Sequence, residues 1–170
     1  GVTSTRQGSG TVVQRRPDPD MPRFTPLENL SDVQRCFEFR VVVESGAAEL
    51  AARKAGPADM ALIEQSLRNL DTVIAEHGVG AREDYEFHLA LARASHNQFF
   101  VSAIAQMQDQ VLVSMNLMRN MSLTKSAERQ QVVQAEHAAI VAAVRRHDGP
   151  GANMAMRQHL EFARNRMFGA

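Results

Sequence analysis

The chain has 170 residues, 44% of them apolar, with 19 basic and 19 acidic side chains and one cysteine. That is enough to bury one real core, since a chain of this size hides roughly 70% of its unfolded surface. Zero net charge excludes a strongly basic nucleic-acid binder as the whole function. The lone Cys36 excludes an internal disulfide, and a reducing, cytoplasmic compartment is expected. No run of about 18 apolar residues is present to span a membrane.

The first stretch differs from the rest. Four of the six prolines (Pro17, Pro19, Pro22 and Pro26) fall within ten residues. Proline fixes φ and cannot donate a helical hydrogen bond, so residues 14–26 read as an extended linker. Ahead of it, two β-capable pieces flank Gly8, Ser9 and Gly10, a composition that suits either a loose tail or a hairpin.

From residue 27 the pattern is helical. Ser31 and Gln34 have capping-box spacing, so the first helix is expected to start there and run to about Lys54, where Gly56 and Pro57 follow. Gly46 inside it costs about 1 kcal/mol relative to alanine, which implies close packing at that point. A second helix starts at Pro57, with Ile63, Leu67, Leu70 and Ile74 on one stripe, and ends near Gly78 and Gly80. A third covers Ala81 to Ala94. Asn97 is expected to cap a fourth, carrying Phe100, Ile104, Met107 and Val111 and continuing towards Met115 and Met118. Ser126 is expected to cap a fifth, with Val133, His137, Ile140 and Val144 on its stripe. After a break at Asp148–Gly151, a sixth carries Met156, His159, Leu160, Ala163 and Met167. The fold class is all-α: an antiparallel bundle of six long helices, with a short leading helix expected besides.

The six histidines divide evenly. His77 and His147 sit in last helical turns, where an imidazole meets exposed carbonyls, and His96 sits in a polar turn. The other three lie on inward faces. His137 and His159 interrupt the apolar stripes of their helices, and His88 follows Asp84 by one helical turn. An i, i+4 pair projects side by side, so Asp84 and His88 can grip one ion together. Taken singly, a histidine on an apolar face is more often a hydrogen-bonded core residue. Three of them plus an aspartate suit a divalent transition metal, because imidazole favours zinc, nickel, copper, cobalt or iron and a carboxylate neutralises charge.

At this point the chain resembles a known family, the all-helical effector-binding domain, often called FCD, of GntR-type transcriptional regulators of the FadR class. Glu38, Phe39, Arg40, Glu44 and the run Ala47–Ala52 resemble its first long helix. The stretch Asp84–His88 with Ala94–Asn97, the stretch Glu136–Ile140 and the stretch Met156–Leu160 resemble its three histidine motifs. The separations of 4, 49 and 22 residues among Asp84, His88, His137 and His159 are similar to those of its metal-binding members. The resemblance implies that these four hold a divalent metal, zinc or nickel first, with manganese, iron or cobalt as alternatives. It implies that Arg40 faces the same cavity and pairs with an acid group of an effector, although a plain salt bridge explains an arginine there as well. Residues 6–13 resemble the end of the β-wing of a winged helix-turn-helix. On that reading residues 1–13 are a wing remnant, 14–26 a linker and 27–170 the effector domain of a truncated regulator, with operator DNA contacted only through a missing N-terminal domain. A homodimer and a small carboxylate or hydroxy-acid effector are implied, and no membrane partner.

Two other classes fit the residues less well. A metal-dependent hydrolase or oxygenase can use three histidines and an aspartate, but no general base accompanies them. Glu86 falls on another face than Asp84 and His88, and Glu136 projects about 100° from His137. A di-iron bundle needs paired Glu-x-x-His motifs, which the sequence lacks.

Overall fold

The computed structural model describes residues 3–6, 10–13, 26–76, 78, 80–121 and 127–169. Among these residues, seven helices follow a short antiparallel hairpin. The hairpin pairs β1 (Thr3–Arg6) with β2 (Gly10–Val13), with Thr3 opposite Val13 and Arg6 opposite Gly10. The helices are α1 (Leu30–Lys54), α2 (Pro57–Ala75), α3 (Ala81–Ala94), α4 (Gln98–Gln106), α5 (Gln108–Met121), α6 (Ala127–Arg145) and α7 (Gly149–Phe168). A short leading helix is absent among the described residues.

Helix α1 is the central post. It packs most extensively on α7 and also meets α3, α4 and α6, while α2 closes over α3 and α6. The main core joins Ala48, Ala51 and Ala52 of α1 with Ile63, Phe87, Leu91, Ile140, Val144, Met156 and Leu160. The alanines let neighbouring helices come close, and the larger side chains fill between them. A second core sets Tyr85 and Leu89 of α3 against Ile104, Met107, Val111 and Met115. Each large apolar side chain so buried contributes roughly 1.5–3 kcal/mol.

Three local expectations need correction. The N-cap of α1 is Asn29 rather than Ser31, because the Asn29 side chain accepts from the amide of Asp32 at 3.0 Å. Asp32 returns the favour by accepting from the amide of Glu28 at 3.2 Å. The expected fourth helix is two: at Met107 the amide turns back to Ile104 at 3.2 Å, a tightened i→i+3 turn that parts α4 from α5. The apolar stripe runs through unbroken, which is why periodicity alone hides the joint. The break before α7 is also narrower than expected. Asp148 caps α7 by accepting from the amide of Gly151 at 2.9 Å, so Gly149 to Gly151 form its first turn. The Ser126 cap, His77 and the side chains of Met118 and Arg119 lie outside the described residues.

Gly46 has the expected reason. A Cβ built there would sit 3.2 Å from the Phe100 ring, so glycine lets α4 lie close against α1.

Candidate metal centre

Asp84 and His88 on α3, His137 on α6 and His159 on α7 converge in the middle of the bundle, each 3% exposed or less. One ring nitrogen from each of the three histidines lies within 4.8 Å of the other two. The ring centroids of His137 and His159 are 4.5 Å apart, and those of His88 and His159 are 5.3 Å apart. Asp84 sits among them: Oδ1 is 3.4 Å from His137 Nε2 and Oδ2 is 3.6 Å from His88 Nε2. All four residues expected from the sequence are therefore brought together.

These separations are long for hydrogen bonds but suit donors around one small cation. A divalent ion with nitrogen ligands at about 2.0–2.1 Å spaces neighbouring donors roughly 3–3.5 Å apart. Asp84 Oδ2 and His88 Nε2 are buried without a hydrogen-bond partner, a costly condition that a bound ion would relieve. The donor set fits a divalent transition metal.

The opposite nitrogens of two of the rings are hydrogen-bonded, and that of the third lies against a carboxylate. His137 Nδ1 is 2.9 Å from Gln134 Oε1. His159 Nδ1 is 2.8 Å from Glu136 Oε2, and His88 Nδ1 rests against Glu44 Oε2. An acceptor at Nδ1 takes the ring proton and leaves the Nε2 lone pair facing inward. Two of these acceptors are themselves held by arginines. Arg40 Nε donates to Glu44 Oε1 at 2.6 Å, and Arg166 donates to both oxygens of Glu136 at 2.7 and 3.0 Å.

The electrostatics follow from these contacts. Burial alone would raise the Glu44 carboxyl, but Arg40 and His88 outweigh it and lower it to about 2. Burial opposes the charge on Arg40 too, yet its ion pair with Glu44 raises the guanidinium above its ordinary value. Burial pushes the His159 imidazole down against the pull of Glu136. The Glu136 carboxyl is lowered by His159 and Arg166 in spite of its partial burial.

Glu136 follows no metal-site pattern in the sequence, where helix geometry points it away from His137. It reaches His159 on the next helix instead. Arg166 carried no signal in the sequence, since its contact depends on how α6 packs against α7, whereas Gln134 precedes His137 by one turn of the same helix. Glu44 was legible in principle: it follows Arg40 by four residues and shares its face. Arg40, expected at the cavity, is 2% exposed and engaged with Glu44, with its guanidinium carbon 5.4 Å from the Phe37 ring centroid.

The other described histidines have ordinary partners. His147 Nδ1 is 2.9 Å from the carbonyl of Ala52, and His96 Nε2 is 2.9 Å from Asp59 Oδ2. On α5, Met115 is buried in the second core and Asn116 is exposed.

A family profile described as the FCD domain matches residues 35–162. The chain belongs to the FCD family of GntR-type regulators. It is 30% identical over 163 residues to the HTH-type transcriptional regulator LutR of Bacillus subtilis, covering 94% of this chain and 74% of that protein. It is also 30% identical over 173 residues to the Uxu operon transcriptional regulator of Escherichia coli, covering 98% of this chain and 66% of that one. The chain thus spans about two thirds to three quarters of these relatives. Among solved structures, a GntR protein of Streptococcus agalactiae superposes with a TM-score of 0.71 at 23% identity, over 96% of this chain and 74% of that one, a likeness of fold. The relatives are transcriptional regulators and not enzymes. No helix among the described residues is long and apolar enough to cross a membrane.

Proposed function

We propose that this FCD domain is the sensing part of a transcriptional regulator, reading a small carboxylate or hydroxy acid at a metal held by Asp84, His88, His137 and His159. The observation that carries the reading is the convergence of one ring nitrogen from each of three histidines with one carboxylate in a buried spot, while Nδ1 of His137 and of His159 is hydrogen-bonded away from it and Nδ1 of His88 rests against Glu44. A divalent metal there, zinc or nickel foremost, would supply a Lewis-acidic position for an acid oxygen. Arg40 is the residue to meet a second acid group: Glu44 takes its Nε–H, and a guanidinium has further donors to offer.

The hairpin at residues 3–13 would be the tail of a DNA-binding wing, and residues 14–26 the linker that carries the effector's influence to it. Operator DNA would be met through a winged helix, and a two-fold operator calls for a homodimer. Binding would act as a switch only if the acid prefers one arrangement of the dimer.

Metal analysis of chelator-stripped and refilled protein tests the centre. About one divalent ion per chain is expected, with both His137→Ala and His159→Ala losing it. Full occupancy in both variants overturns the assignment. A thermal-shift screen of small organic acids, with and without metal, tests the effector: stabilisation that requires the metal supports the reading, and stabilisation indifferent to it refutes it.

A further inference from the structure

Two of the three histidines are held by the same construction. On one side Arg40 grips Glu44, which rests against Nδ1 of His88. On the other Arg166 grips Glu136, which accepts at Nδ1 of His159. In each, the arginine and glutamate share a helix or lie on facing ones, and the histidine they serve comes from a different helix than the glutamate. The third histidine, His137, has a neutral amide of its own helix at Nδ1.

The two constructions differ in where they open. Arg40 and Glu44 are both 2% exposed and sealed in the bundle. Glu136 and Arg166 are 13% and 19% exposed and lie with His159 along an open groove of about 820 Å³ between α6 and α7, whose walls include Val132, Ala155 and Phe162. One flank of the centre therefore meets solvent through a carboxylate–arginine pair.

We infer that Glu136, clamped by Arg166, is a positioning residue that makes His159 a metal ligand. The bidentate clamp removes the rotational freedom of the Glu136 carboxylate. The fixed carboxylate then takes the Nδ1–H of His159, which selects one tautomer, aims Nε2 at Asp84 and the other rings, and raises its basicity as a donor. Without the clamp, Glu136 can turn out into the groove and His159 is free to carry its proton on either nitrogen. This role rests on the metal reading for its purpose, but the orientation of the ring exists without metal and can be measured without it.

The test uses metal-free and metal-loaded protein with Glu136→Gln, Glu136→Ala and Arg166→Ala. In metal-free protein, long-range nitrogen–proton NMR correlations should show the wild-type His159 ring as one tautomer, protonated at Nδ1. Glu136→Gln keeps an acceptor and should keep that tautomer, whereas Glu136→Ala and Arg166→Ala should give a mixture. In competition with a chromophoric chelator, zinc affinity should fall about 10–100-fold in Glu136→Ala and Arg166→Ala and less in Glu136→Gln. A His159 tautomer unchanged in Glu136→Ala overturns the inference. So does unchanged zinc affinity in that variant when the wild-type protein binds zinc. If the wild type binds no zinc while the tautomers behave as stated, the metal reading fails and the positioning role stands.

Discussion

Arg40 and Glu44 form a fully buried ion pair one helical turn apart, with Nε 2.6 Å from Oε1. The other Glu44 oxygen faces His88, so the pair is both a structural tie and a wall of the candidate centre. Removing one partner strands the other charge in the bundle. Arg40→Met should lower stability by about 3–5 kcal/mol, measured by urea unfolding. The double variant Arg40→Met with Glu44→Gln should recover much of that loss, because neither charge is then left alone. Equal losses in the single and double variants would mean that packing, not the stranded charge, sets the cost.

The helices were legible because their apolar stripes, prolines and caps agree. Pro57, Asn97 and the Gly80–Ala81 start are found where composition put them. What escaped the sequence was of two kinds. Caps compete at close range: Asn29 with Asp32 beats Ser31 with Gln34 by two residues, and both spacings satisfy the same rule. A tightened turn at Met107 leaves the side-chain period intact, so hydrophobicity does not record it. The centre shows the same division. Asp84 and His88 declare themselves by sharing a helix turn, and His137 and His159 by interrupting apolar stripes. Their orienting partners Glu44, Glu136 and Arg166 reach across between helices, and only packing brings them into contact.

The α1–α4 contact can be tested at Gly46. A larger side chain has to push against the Phe100 ring, already 3.2 Å from where a Cβ would stand. Gly46→Leu should destabilise by about 1–3 kcal/mol through overpacking. In a Phe100→Ala background the obstacle is gone, and Gly46→Ala should stabilise that variant by about 0.5–1 kcal/mol through helix propensity. Chemical unfolding of the four proteins gives the comparison. A destabilising Gly46→Ala in the Phe100→Ala background would show that something other than the ring requires glycine.

Asp59 closes the start of α2 and joins it to the turn after α3. Its Oδ2 accepts from the Gly56 amide at 2.9 Å and lies 2.9 Å from His96 Nε2. Asp59→Ala should cost about 1 kcal/mol, seen as a lower Tm at pH 7. The Gly56 amide foremost, and His96 with it, holds this carboxyl below its ordinary value. A lowered folded-state value means that the contribution is present above the unfolded carboxyl value and lost as pH falls through the folded one. The difference in Tm between wild type and variant should therefore shrink in acid. A difference that persists undiminished at pH 2 would place the effect outside the carboxylate.

Asp84 should show opposite effects with and without metal. In the metal-free protein it is a buried carboxylate whose Oδ2 lacks a hydrogen-bond partner, so it burdens the fold. Asp84→Asn removes the charge at nearly constant shape. The metal-free variant should be as stable as wild type or more stable by about 1 kcal/mol. Metal reverses the order. A ligand bound only by the folded state adds about 4 kcal/mol at a thousand times its Kd, and an amide is a far poorer ligand than a carboxylate. Thermal unfolding with chelator and with added zinc should therefore give curves that cross: the variant melts no lower than wild type without metal and clearly lower with it. A structural aspartate would lower both melting points together. An aspartate kept for a ligand lowers only the second.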